Sequence, residues 1–337
     1  MAPENAFTAL SLMDRHDTGI TLAPNPHNPE ATDRNVPSMI EISIIIPSYL
    51  RPGMLTRAIN SCLAQTGVTV PYEILVVDND PKESARQVVE EMAPTSRVPI
   101  RYIGESRAGI SHARNSGIAN AAGRCIAWLD DDEEAEPGWL AAFVATMQET
   151  GADVVCGPCY PHLDGADPYT RRVYTRDARV ETGTRLWNWS KLNGLFDKAR
   201  CFGDNPAPFD LWLGLAGGGD TLFFRQLIRS GRKIVWSTDA VIWETIPPDR
   251  VAPRYVLRRR FHHGQITTLV RMAVKPAQPA QVALWMAVGC AQVLLYAPAA
   301  LLFWACKSDR WLAAMGQCVG GLGKVFWHPK MHLRLYR

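Results

Sequence analysis

Cys125-Ile126-Ala127-Trp128-Leu129-Asp130-Asp131-Asp132 is the stretch on which the fold turns, an apolar run of strand type that passes straight into three carboxylates. Crowded carboxylates repel one another and are costly to hold together unless a cation sits among them. Their oxygens are hard ligands suited to Mg2+ or Mn2+, ions that bind a diphosphate in turn. An exposed acidic loop would read the same way, so the surroundings have to decide.

On either side, short β-rich runs alternate with helical stretches. The strand candidates are Ile42–Pro47, Glu73–Asp78, Ile100–Ile103, Cys125–Asp130 and Asp153–Cys156; the helix candidates are Leu55–Ala64, Ser84–Met92, Ile110–Ala122 and Trp139–Thr150. That alternation predicts βαβ units and a mostly parallel, doubly wound α/β sheet. Ligands of such sheets bind beyond the carboxyl ends of the strands, where Asp78 and Asp130 fall. Residues 160–215 are irregular and rich in Trp, Gly, Pro and Asp, as binding loops are. Next come Gly217-Gly218-Gly219-Asp220, a helix over Thr221–Ser230, and strand candidates at Lys233–Trp236 and Ala240–Glu244.

The net charge of +3 conceals a division, because from Arg250 onward thirteen Lys and Arg face one acid, Asp309, which leaves −9 for the preceding chain. A basic tail on an acidic body suggests an anionic partner for the tail, either phosphates or a lipid surface. Within that tail Pro276–Cys306 carries no charge, and Val282–Ala305 is long enough to cross a bilayer, with Trp285 and Trp304 near its ends. A weaker, glycine-rich apolar stretch, Trp311–Trp327, follows. Positive charge flanks the strong segment on both sides, which favours a re-entrant or in-plane hairpin over a single span; a buried soluble helix pair is the alternative. Residues 1–38 are polar, without sustained periodicity or a secretory pattern, and read as a disordered leader. Eight irregularly spaced cysteines fit reduced thiols. Cys156-Gly157-Pro158-Cys159 has the letters of a redox pair, but Tyr160-Pro161 discourages the helix that would activate the first thiolate.

A second signal is Gly218-Gly219-Asp220 opening a helix, where glycine lets the backbone approach a ligand and an acid is electrostatically favoured. A plain N-cap would look the same. Taken in order, these elements resemble the family 2 glycosyltransferases from about Ile42 to Gln265. Ile44–Arg51 looks like the opening strand and loop of that family, Val76–Asp80 like its nucleoside-binding strand end, and Gly109 with Ala113-Arg114-Asn115 like its nucleotide-facing helix. Leu129–Asp132 matches the DxD element, and Gly219-Asp220 falls where the family has an acidic pair whose second member is the catalytic base. Asp132-Glu133-Glu134-Ala135, Gly218–Phe224 and Arg258-Arg259-Arg260-Phe261 with Gly264-Gln265 look like the succinoglycan-type exopolysaccharide glucosyltransferases.

The resemblance implies a GT-A, Rossmann-like domain over residues 39–272, with a membrane-associated helical region over 273–337. It implies an inverting transfer with Asp220 as catalytic base. Pro47, Tyr49, Arg51, Asp78, Asn79, Arg114, Asp130 and Asp131 would bind the nucleotide sugar, best read as UDP-glucose, and Asp132 and Asp130 a Mg2+ or Mn2+ ion. Trp187, Trp189, Arg259, Arg260 and His263 are the candidates for acceptor or phosphate contacts. The implied partners are a nucleotide-sugar donor, a lipid-linked oligosaccharide acceptor and the cytoplasmic leaflet of the membrane, with no nucleic acid. Asn79 and Gly219 depart from the acids usual at those positions, and no strict QxxRW sequence is present. Those departures keep open a degenerate member acting as a membrane-bound scaffold. A sugar-phosphate nucleotidyltransferase is disfavoured, since the loop after the first strand lacks that class's Gly-rich basic sequence.

Overall fold

A computed structural model of the chain describes residues 40–163 and 165–333. The leader expected over residues 1–38 lies outside them. The order begins β1 (Ile42–Ser48), α1 (Pro52–Leu63), β2 (Tyr72–Asp78), α2 (Arg86–Met92), β3 (Ile100–Gly104), α3 (Ile110–Asn120), β4 (Cys125–Trp128). It continues β5 (Glu133–Ala135), α4 (Trp139–Thr150), β6 (Val154–Cys156), β7 (Cys159–His162), α5 (Pro168–Tyr174), β8 (Gly194–Asp197), α6 (Lys198–Phe202), α7 (Leu211–Ala216) and α8 (Gly219–Arg229). Then follow β9 (Ile234–Trp236), β10 (Ile242–Thr245), α9 (Pro253–Ala273), α10 (Pro279–Ala305) and α11 (Trp311–Val325).

Seven strands form the main sheet in the order β3-β2-β1-β4-β8-β6-β9. All neighbouring pairs are parallel except those made by β8, which runs antiparallel to both β4 and β6. Parallel strands covered on both faces read as continuous apolar runs, and β1 shows why. Ile42, Ile44 and Ile46 pack with Leu55 and Ile59 of α1 and Leu140 and Phe143 of α4, whereas Ile45 faces Ala113 and Ile118 of α3 and Phe223 of α8. Gly117 lets α3 lie directly on β1, since a Cβ there would come within 2.6 Å of Ile45 Cγ2.

Two expectations need correction. The stretch read as irregular, 160–215, contains β8, a central strand of the main sheet, together with β7 and helices α5 to α7. Gly194-Leu195-Phe196-Asp197 is too short to show alternation; pairing with β4 and β6 on its two sides makes it a strand. The strand expected to run to Asp130 ends at Trp128, because the chain leaves the main sheet there and re-enters a second one, β5-β10-β7. Asp130-Asp131-Asp132 is therefore the corner between two sheets.

Asn193 ties that corner's surroundings together. Its buried side chain accepts from Trp139 Nε1 at 2.8 Å and donates to Pro158 O at 2.8 Å and Ala240 O at 3.0 Å.

The last three helices pack as a layer. α10 and α11 are antiparallel, with Gly289 against the Gly321 carbonyl and Gln292 Nε2 donating to Gln317 Oε1 at 3.3 Å. α9 lies against α11, where Cβ atoms at Gly264 and Gly323 would meet backbone of the other helix at 2.2 and 2.0 Å. α10 is long and apolar enough to cross a membrane, its most apolar 18 residues having a mean hydropathy of 1.8. Its outward side exposes Leu294, Leu295, Leu301, Leu302 and Trp304.

Each of the three Asn193 bonds joins a different segment and none is open to water. Asn193→Ala should therefore lower unfolding stability by about 3 kcal/mol, the scale of leaving several buried polar groups unmade. A urea melt reads this directly, and a loss below about 1 kcal/mol would show the junction to be dispensable.

Candidate active site

The corner after β4 carries five acids in a row, Asp130 to Glu134, and three cations from three separate elements hold the first four. Arg51, just after β1, reaches Asp131 Oδ1 at 3.0 Å and Asp132 Oδ2 at 2.8 Å through one guanidinium nitrogen. Arg114 of α3 is buried and stands 3.5 Å from Asp130 Oδ1, while its other terminal nitrogen pairs with Asp220 Oδ1. Lys191, from the loop before β8, pairs with Glu133 and sits 3.4 Å from Glu244 Oε2 and 3.9 Å from Asp130 Oδ2.

Asp131 turns back toward β1, accepting from Ser48 Oγ at 3.1 Å and the Tyr49 amide at 3.3 Å besides Arg51. Its carboxylate fixes the corner to the strand end. Burial, together with the charges of Asp130 and Glu244, pushes the Asp132 carboxyl up from its ordinary value to about 6. Glu133 is raised by burial and by its acidic neighbours, against the pull of Lys191. Burial alone would lower the Lys191 ammonium, but Glu133 and Glu244 more than reverse it and hold it charged. Even with three cations in place, the corner is over-supplied with negative charge.

That excess is the test of fit for a divalent cation. Asp130 and Asp132 offer hard carboxylate oxygens at the rim of the cluster, the donor type Mg2+ and Mn2+ take. Glu133, Cys159 and Glu244 also bring ligand atoms within 4.8 Å of one another. The Lys191 ammonium already lies against both of those carboxylates, so the Asp130–Asp132 side is the better fit.

Asp220 opens α8 after Gly217 and Gly218, whose φ values of 88° and 97° are left-handed. A Cβ at Gly217 would stand 2.5 Å from His262 Cε1, so glycine lets α9 support this turn directly. His262 bonds through Nε2 to Ala216 O at 2.7 Å, and burial lowers it to about 4, keeping the ring neutral. Burial raises the Asp220 carboxyl, opposed by Arg114.

The nucleoside-binding candidates on β2 are largely occupied within the chain. Asp78 is fully buried and accepts from the Asp80 amide at 3.0 Å, the Ala85 amide at 2.8 Å and Tyr102 OH at 3.2 Å. Asn79 donates to Glu105 O and Arg107 O, both at 2.8 Å, and accepts from the Gly109 amide at 2.8 Å, bracing the loop before α3. Asp80 leaves a buried carboxylate oxygen, Oδ2, without a partner among the described residues. Pro47 is buried in β1 opposite Val77, and Tyr49 is half-exposed beyond the strand end.

Among the acceptor candidates, Trp187 is 66% exposed with Arg185 stacked on its ring at 4.0 Å. Trp189 is packed edge-on against Trp236 at 4.9 Å and donates to Lys191 O at 2.9 Å. Arg259 lies over the Tyr174 ring at 4.6 Å, and the charges of Arg259, Arg260 and Arg176 converge on exposed His263. Sequence reasoning missed Lys191, Glu244 and Arg176 as members of this site; it quoted Glu133 only as part of a motif and grouped His262 with the basic run Arg258–Arg260 as phosphate-facing, whereas His262 supports the Gly217-Gly218 turn. No local signal marks Lys191, Glu244 and Arg176, since they arrive from three distant segments. Cys156 and Cys159 are both buried, which pushes their thiols well above the ordinary value, the reverse of an activated redox pair.

A mostly parallel sheet with an acid-bearing corner beyond its strand ends defines a GT-A-type α/β protein. The fold aligns with the crystal structure of S. aureus TarS 1-349 in complex with UDP at a TM-score of 0.52 and 17% identity, covering 85% of this chain and 90% of that one. Residues 43–203 match Glycosyl transferase family 2. Succinoglycan biosynthesis protein ExoM of Rhizobium meliloti is 30% identical over 234 residues, 67% of this chain and 74% of that protein. Succinoglycan biosynthesis protein ExoO of the same organism is 35% identical over 127 residues, 38% of this chain and 34% of its own length. This chain belongs to glycosyl transferase family 2.

The raised Asp132 carboxyl has a consequence for stability. A carboxyl lifted by folding destabilises the fold once ionised, so its favourable contribution is present below pH 3.8 and lost as pH rises through about 6. In metal-free protein, Asp132→Asn should be more stable than wild type by about 3 kcal/mol at pH 7.5 and by only about 1 kcal/mol at pH 4.5. Thermal melts at the two pH values in EDTA test this. A variant equally or less stable at pH 7.5 would mean that Arg51 already neutralises the carboxylate.

Proposed function

We propose that this family 2 glycosyltransferase moves a sugar, best read as glucose from UDP-glucose, onto a lipid-linked glycan during exopolysaccharide assembly. The observation that carries the reading is that buried Arg114 pairs with Asp220 through one terminal nitrogen and with Asp130 through the other, which sets one carboxylate apart from the acid corner yet ties it there. In this reading Asp220 takes the proton from the acceptor hydroxyl as that oxygen attacks the anomeric carbon. A single displacement inverts that centre. Arg114 holds Asp220 in place and, through its bond to Asp130, keeps the base and the corner in fixed relation. Burial raises Asp220 toward the range useful to a general base.

Asp130 and Asp132 would hold the divalent cation, which would supply neutralisation of the charge that develops on the departing nucleoside diphosphate. Arg51 holds the Asp132 carboxylate in place. On the nucleoside side Pro47 and Tyr49 flank the base, Asp78 and Asn79 shape the loop, and the free oxygen of Asp80 suits a sugar hydroxyl. Arg259, Arg260 and His263 face phosphate, and Trp187 offers an exposed ring to an acceptor sugar. Residues 39–272 form the transferase domain. Residues 273–337 associate with the cytoplasmic leaflet through the exposed apolar side of α10, as an in-plane or re-entrant hairpin with α11. The names of the two succinoglycan relatives support the exopolysaccharide part of this reading.

Turnover of nucleotide sugars by the purified protein, with a lipid-linked acceptor extract and Mn2+ or Mg2+, tests the proposal. One donor should be consumed into a glycolipid, with activity abolished by EDTA and reduced at least about 100-fold in Asp220→Asn and in Asp132→Ala. Full activity in Asp220→Asn would remove the catalytic base. No turnover of any donor by folded protein with authentic acceptor would favour the scaffold reading.

A further inference from the structure

α9 serves the transfer site on two of its sides, with His262 and Ile266 under the Gly217-Gly218 turn and Arg259 and His263 facing the cationic patch. A third side has no part in that site. Leu257 and Phe261, with the carbon stems of Arg254 and Arg258, form one wall of an almost wholly apolar groove of about 530 Å³ whose other wall includes Trp311 and Val319 of α11. Arg254 and Arg258 are exposed, and neither has a hydrogen-bond or ion-pair partner among the described residues.

The two chemistries together narrow the occupant. Arg254 and Arg258 are one helical turn apart on the same side, and guanidinium groups match phosphate oxygens with paired bonds. A free phosphate would leave the apolar walls wet, and an uncharged apolar molecule would leave two cations unanswered. An amphiphile with an anionic head satisfies both. Its source is indicated by position. Leu301, Leu302 and Trp304, at the end of α10, are each more than 60% exposed, and the turn after them carries Lys307 and Arg310 straight into Trp311. Trp311 thus links the groove, through this turn, to the helix that the proposed function places at a bilayer.

We infer that this groove seats an anionic phospholipid of the bilayer, its phosphate on Arg254 and Arg258 and the start of one acyl chain along Leu257, Phe261, Trp311 and Val319. The inference rests on the reading that α10 meets a membrane. The site would fix how α9, and with it the acceptor side of the active site, is set against the lipid surface.

Flotation of the full chain with phosphatidylcholine vesicles, with and without phosphatidylglycerol, separates the two. Three variants are compared with wild type: Arg254→Gln/Arg258→Gln, Lys307→Gln/Arg310→Gln as a match in charge outside the groove, and Val319→Trp, which fills the groove without changing charge. Thermal midpoints confirm folding, and Val319→Met replaces Val319→Trp if the larger ring unfolds the protein. Wild type should prefer the phosphatidylglycerol vesicles. Val319→Trp should lose roughly tenfold of that preference, and the groove arginine pair should lose more than the matched pair, each surface cation alone being worth about fivefold. A filled groove with wild-type preference, and equal losses in the two double variants, would overturn the groove and leave membrane binding as general electrostatics. Equal flotation of wild type with both vesicles would overturn the groove while leaving α10 as an anchor. No flotation with either would overturn the membrane reading itself.

Discussion

The run of carboxylates from Asp130 to Glu134 at a corner between two sheets is the constraint around which the rest is arranged. Two like charges 4 Å apart repel by about 4 kcal/mol at the effective dielectric near a protein surface. The corner can close only if cations are brought to it from elsewhere. Arg51 comes from the end of β1, Arg114 from the middle of α3 and Lys191 from the loop before β8. Each is fixed by its own element, so the charge balance depends on the whole sheet being assembled in register. β1 has to pair with both β2 and β4, and β8 has to enter beside β4.

The same arrangement explains why function and stability pull against each other here. The cluster remains acidic after its three cations are counted, as the raised Asp132 and Glu133 carboxyls show. A fold selected for stability alone would neutralise them or replace them with apolar residues. In the proposed reading, keeping Asp130 and Asp132 ionisable is what would give the site an affinity for a divalent cation and, through it, for a diphosphate. Asp131 is the exception that makes the others possible. Its oxygens are spent on Ser48, Tyr49 and Arg51, and the corner is held to β1 by that carboxylate.

α9 joins the transferase body to the apolar hairpin. It touches the Gly217-Gly218 turn through His262 and Ile266, and it packs on α11 through Gly264. Backbone-to-backbone packing through glycines leaves little slack between these elements. A shift of the hairpin would therefore be felt at the turn that opens α8 and carries Asp220.

The sequence by itself determined the alternating α/β core, because parallel strands buried on both faces must be apolar throughout and the helices between them must be amphipathic. It also marked Asp130, Asp132 and Asp220, since an acid run after an apolar strand and a Gly-Gly-Asp helix start are local patterns. The long uncharged segment that became α10 was equally plain. Only the tertiary structure decided that Gly194–Asp197 is a central strand, that the acid run is a corner between two sheets, and that Trp189 packs against Trp236 while Trp187 stays exposed. Lys191, Glu244 and Arg176 belong to the same class, as does the supporting role of His262 under the Gly217-Gly218 turn. Their roles arise from which distant segments the fold brings together, and a pair of opposite charges far apart in sequence carries no local periodicity or spacing by which it could be read.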